Sequence, residues 1–153
     1  MIALRLRGTL MQTLDATRLL VFSGAAAMLF SSLLGFAMLV PMQPWGAQLL
    51  KGVNLKQVGA AHLDWIMLGL MQGLAAGVVA AFALSPPDTA VWAMIAGGWM
   101  NPIPYIFRAF GVNAFAFGGG PLQWFAASLG AVSVTFVLYA WFWLLIAAWE
   151  TWP

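Results

Sequence analysis

Gly59 to Ala83 reads GAAHLDWIMLGLMQGLAAGVVAAFA. The run is long and apolar enough to cross a bilayer as one helix, and it carries the chain's single histidine, His62. Gly69, Gly73 and Gly77 follow, four residues apart. On an α-helix, residues seven apart nearly superpose in projection, so His62 shares a stripe with Gly69. The glycines form a shallow trough that another helix, or a flat ligand, can approach closely. Two readings stay open. His62 is a metal ligand above a planar cofactor lying in the trough, or the GxxxGxxxG stripe packs helices and His62 is an interfacial side chain.

Composition fixes the class. The 153 residues suit one domain. Hydrophobic residues make up 63% and charged residues 7% of the chain, against about 25% charged in a soluble domain. Such a chain lacks the polar surface to stay dispersed in water, so it reads as an all-α integral membrane protein in contact with the lipid bilayer. A net charge of +2 gives no footprint for nucleic acid. There is no cysteine, which removes disulfides, thiolate-ligated haem, iron–sulfur clusters and Cys-based zinc sites. Nothing resembles a cleaved signal peptide.

Working outward from the quoted stretch, the pattern predicts a single transmembrane domain over 1–153, with spans at about 17–40, 58–84, 90–110 and 122–149. That is a four-helix transmembrane bundle. Residues 1–16 form an amphipathic lead in which Arg5 and Arg7 meet headgroups. The first span carries a small-residue face of Ser23, Gly24, Ala27, Ser31 and Gly35, and Pro41 and Pro44 end it. The third span is a broken helix: Gly97 and Gly98 loosen it, and Pro102 and Pro104 each remove a backbone donor. Asn101, Tyr105 and Arg108 cluster at the break, on one face if the helix resumes. A broken membrane helix is tolerated where protein or a cavity satisfies the freed carbonyls, so a functional site and a proline kink with interfacial Tyr and Arg are both open. Residues 111–121 form an apolar glycine-rich loop that packs on the bundle. The fourth span is rich in Trp and Phe, as suits a lipid-facing helix with an interfacial belt. Arg5, Arg7 and Arg18 balance Lys51, Lys56 and Arg108 across the bilayer, so charge does not orient the chain.

One histidine excludes His-pair metal sites and bis-histidine haem within a chain. If haem binds, His62 is its axial ligand and the opposite face stays open, so that an iron there acts as a Lewis acid. No Ser-His-Asp or Cys-His arrangement is available. Asp64 lies about 200° round the helix from His62, so the two do not pair within their helix. It reaches for headgroup water or for an arginine on a neighbouring helix.

Ala61-His62, then Gly98-Trp99-x-Asn101-x-x-x-Tyr105, then Phe107-x-x-Phe110-x-x-Asn113 and a Phe117-Gly118 turn occur in that order. The set resembles the styrene oxide isomerase family of small four-helix membrane enzymes, with hydroxylaminobenzene mutases as broader relatives. The motifs run from Ala61 to Gly118, and the length and span count agree over the whole chain. The resemblance implies a bacterial inner-membrane isomerase, a homotrimer with ferric haem b at the subunit interfaces and His62 on the iron. It implies a small apolar aromatic substrate, an aryl epoxide rearranged to an aldehyde. Tyr105 would face the substrate and Asn101 would support the pocket as catalytic residues. Gly69, Gly73 and Trp99 would lie along the haem. Arg108, by its face on the helix, would pair with a propionate. Two positions depart from the family pattern. Leu68 stands where an asparagine is usual and Gly97 where an aspartate is usual. A mutase of another substrate, such as an arylhydroxylamine, and a non-catalytic haem-binding or structural subunit are the alternatives.

Overall fold

The computed structural model describes residues 2–152, with side chains from Gln12 onward, so Arg5 and Arg7 of the expected lead lie outside the described side chains. The described residues are helical, with no strand among them. The elements are α1 (Ile2–Ala37), a 3-10 turn (Val40–Met42), α2 (Leu55–Ala81), α3 (Asp88–Met100), α4 (Ile103–Ala109) and α5 (Pro121–Thr151). Three stretches, Gln12–Met42, Leu55–Ala81 and Pro121–Thr151, are long and apolar enough to cross a membrane. The place of the expected third span is taken by two short helices, α3 and α4, separated at Asn101 and Pro102. The expected lead and first span are one continuous helix, because no proline interrupts the chain before Pro41.

α1 runs along α2 in the most extensive pairing, α3 runs along α5, and α4 lies against α2 and α5. Small residues bring the axes together. A Cβ on Gly24 would stand 2.6 Å from the Gly69 carbonyl oxygen, and one on Gly69 would stand 2.8 Å from the Gly24 carbonyl oxygen. The α3–α5 crossing is equally close: a Cβ on Gly97 would lie 2.8 Å from Val137 and 2.9 Å from the Ser133 carbonyl. Between the pairs, α2 buries Ala61, Trp65, Leu68, Gln72, Ala75, Ala76 and Val79. One apolar cluster joins Leu20, Val79, Met94 and Leu144, and another joins Ala27, Ala61 and Trp65. The outer surface stays apolar, with Phe22, Phe36, Trp149 and Trp152 all exposed, as suits a surface that meets hydrocarbon.

Two helices end in the same hydrogen-bonded motif. After α4, Gly111 (φ +86°) lets its own N–H reach the Arg108 carbonyl and the Val112 N–H reach the Phe107 carbonyl. After α2, the Leu84 N–H reaches the Val79 carbonyl at 2.9 Å and the Ala83 N–H reaches that of Ala80 at 3.3 Å. The left-handed position there is Ala83, φ +48°, where a side chain is strained. Thr13 Oγ1 donates to the Leu84 carbonyl at 2.7 Å, which ties α1 to this turn.

Candidate functional site

His62 sits at the edge of the α1–α2 contact, its ring half-buried against Gly35 of α1. Its Nδ1 lies 2.8 Å from the Ser31 carbonyl oxygen and 2.8 Å from Ser31 Oγ. The Ser31 hydroxyl has one proton and donates it to the His62 carbonyl at 2.6 Å. The Ser31 carbonyl can only accept, so Nδ1 carries the ring proton and the lone pair is on Nε2. Nε2 makes no hydrogen bond among the described residues and is not sealed inside. Ser31 is fully buried, so this orientation is fixed by packing as well as by hydrogen bonds. The geometry is that of a ligating imidazole before its metal: one nitrogen anchored to backbone, the other offered outward.

The glycine stripe divides. Gly69, expected along a flat cofactor, is instead taken by Gly24 of its own chain, because both residues lack a Cβ and the two backbones close on each other. Gly73 and Gly77 are exposed, with nothing within 4 Å of a Cβ added at either. The packing reading therefore holds for Gly69, and the open trough begins at Gly73.

Trp99 is anchored to α1 at two points. Its Nε1–H donates to Ser23 Oγ at 3.0 Å, and its ring stands 5.8 Å from that of Phe30, which also meets Trp65 edge-on at 4.7 Å. Asn101, at the helix break, is occupied at both ends of its amide. Nδ2 donates to Asp64 Oδ2 at 2.8 Å, and Oδ1 accepts from Ser133 Oγ at 2.9 Å. The partner of Asp64 is thus an amide at the proline break rather than an arginine. Ser133 is fully buried on α5 and also lies 2.8 Å from the Gly130 carbonyl.

Tyr105 and Arg108 do share a face, as their spacing predicts, and they share a partner in Phe115 of the glycine-rich loop. Tyr105 meets that ring edge-on at 5.1 Å, and the Arg108 guanidinium lies 4.7 Å above its centre. Neither the Tyr105 hydroxyl nor the Arg108 guanidinium has a hydrogen-bond or carboxylate partner among the described residues. Tyr105 packs on the cluster built around Ala61 and Trp65, while His62 turns toward α1.

The sequence pattern did not single out Gln72. It is fully buried with both amide heteroatoms unpaired, folded over Gly98, whose missing Cβ makes the room. Its signal was a lone carboxamide inside an apolar run, one turn on from Leu68. A groove of about 520 Å³ lined by Thr89, Trp92, Ala93, Ala96, Thr135, Phe136 and Tyr139 lies between α3 and α5. No family model, no curated protein and no solved structure matches the chain.

Proposed function

We propose that the chain is a haem-dependent membrane isomerase that opens an aryl epoxide to an aldehyde, built as a four-helix transmembrane bundle in which α3 and α4 together make the third crossing. The observation that carries this reading is the His62 tautomer, with Nδ1–H held on the Ser31 carbonyl and a free Nε2 lone pair. Among the described residues no group of three or more His, Cys, Asp or Glu side chains is placed to hold an ion. A metal bound here by one nitrogen must bring its remaining ligands with it, as the iron of a porphyrin does. The donor set fits haem b in that sense, with His62 as the axial ligand.

When bound, ferric haem supplies a Lewis acid for the epoxide oxygen. The protein's own part is to bind, orient and keep water out. Ser31 fixes the imidazole plane. Gly73 and Gly77 leave open surface on the same helix, about three and four turns further on from the imidazole. Tyr105 presents an unpaired hydroxyl that orients the substrate, and Arg108 presents an unpaired guanidinium for a propionate. Asn101 acts one step back, holding Asp64 and Ser133 in place rather than touching substrate. The reading joins His62 of one chain to Tyr105 of another, in a homotrimer of the bacterial inner membrane.

A mutase of an arylhydroxylamine, or a non-catalytic haem-binding subunit, is the second reading. Leu68 and Gly97 favour it: Leu68 is buried against the interior and Gly97 is pressed onto α5, so neither offers a polar contact to an epoxide oxygen. The deciding experiment is the absorption spectrum of detergent-purified protein, oxidised and dithionite-reduced, with headspace chromatography of styrene oxide turnover. The proposal expects a Soret band lost in His62→Ala, and turnover cut in Tyr105→Phe with the band intact. Absence of a Soret band in haem-supplemented wild type overturns it.

A further inference from the structure

Asp64 lies on the side of α2 turned away from His62, so nothing in its chemistry rests on the haem reading. It is the tenth residue of α2, about 14 Å along the axis from Leu55. An ionisable side chain at that depth in a membrane helix calls for a partner. The one it has is neutral: Asn101 Nδ2, at 2.8 Å from Oδ2. Asn101 is in turn held by Ser133, so three helices fix the orientation of the carboxylate. That chain leaves Oδ1 without a donor: it accepts no hydrogen bond among the described residues and is not sealed inside. The ion pair found among the described residues, Arg18 with Asp15 at 3.9 Å, lies on α1 close to Thr13, which bonds Leu84 at the other end of α2. Around Asp64 the outer face of α2 carries Leu63 and Met67, both exposed and apolar.

We propose that Asp64 is the fixed acceptor of a second ligand site, at the seam of α2, the α3–α4 break and α5, for an apolar molecule that carries an amine or hydroxyl donor. The free oxygen supplies the recognition, Asn101 and Ser133 supply the rigidity, and Leu63 and Met67 contact the apolar body. Acceptor-only molecules, such as ketones or ethers, are disfavoured at the same place.

The test compares two aromatic probes of similar size, aniline as donor and acetophenone as acceptor. Each is equilibrated with protein in nanodiscs, and retained probe is measured against empty nanodiscs. Wild type retains aniline over acetophenone. In Asp64→Asn, the remaining carbonyl oxygen is held by Asn101 and an amino group faces the seam, so the ratio swings toward acetophenone by roughly tenfold, the scale of one hydrogen bond to a charged group. Asp64→Leu brings the ratio to that of empty nanodiscs, and both Asp64 substitutions shift the ratio in the same way in a His62→Ala background, where no haem iron is held to take up the amine. An identical ratio in wild type and Asp64→Asn overturns the proposal, whatever the haem spectrum shows.

Discussion

Replacing Gly69 and Gly73 separately by alanine separates the two roles of the glycine stripe. Both positions are interior to α2, and alanine gains about 1 kcal/mol of helix propensity at either. At Gly69 the new methyl meets the Gly24 carbonyl oxygen at 2.8 Å and Met28 Cγ at 2.9 Å, whereas at Gly73 it meets nothing within 4 Å. Met28 can rotate aside, but a backbone oxygen in the facing helix moves only if the helices separate. Overpacking of this kind costs about 1–3 kcal/mol. Propensity cancels in the difference, so Gly69→Ala should be less stable than Gly73→Ala by about 1–3 kcal/mol. At about 2–4 °C per kcal/mol for a chain of this size, the unfolding midpoints should differ by roughly 2–12 °C. Thermal unfolding followed by near-ultraviolet circular dichroism in one detergent reads this directly. Gly24→Ala, whose methyl would lie 2.6 Å from the Gly69 oxygen, should behave like Gly69→Ala. Equal midpoints for Gly69→Ala and Gly73→Ala would refute the crossing and with it the division of the stripe.

Three further changes probe other features. Ala83→Gly relieves a left-handed alanine at the end of α2 and should stabilise by about 1 kcal/mol, visible as a raised midpoint; an unchanged or lower midpoint contradicts the strain. Gly35→Ala places a methyl 2.7 Å from His62 Cε1 and should lower the Soret absorbance per protein without loss of helix signal, since it displaces the ring rather than the helix. Gln72→Leu replaces two unpaired buried polar atoms by methyl groups of similar volume and should be neutral or stabilising. A marked fall in midpoint would mean that the amide is hydrogen-bonded to water inside the protein.

Hydropathy and prolines made most of the architecture legible. The apolar runs located α1, α2 and α5, and Pro102 with Pro104 located the break between α3 and α4. What periodicity provides is an angle about a helix's own axis. It says nothing of which neighbour stands at that angle, or at what height. His62 and Gly69 do lie on one stripe, yet only the register of α1 puts Ser31 beside one and Gly24 beside the other. Asp64 was visible as an odd residue, but its partner is set by the crossing of α2 with the broken helix, 37 positions later in the chain. Tyr105 and Arg108 were legible as a pair because they lie on one short helix, while Phe115 joins them from a loop whose path no periodicity describes.

The three-helix chain through Asn101 also has a temporal side. A ribosome feeding this sequence into a membrane delivers α2 well before Asn101 and Ser133 exist. Asp64 thus enters the bilayer with neither of its eventual supports, at an insertion cost that approaches the roughly 2.5–3.5 kcal/mol of a lone aspartate at a helix centre. The α1–α2 hairpin must hold that residue at a wet boundary, or in its protonated form, until the second half of the chain arrives. Completion of α5 is then the event that locks the carboxylate in place, and a chain truncated before Ser133 should remain exposed to the quality-control proteases that recognise polar membrane segments.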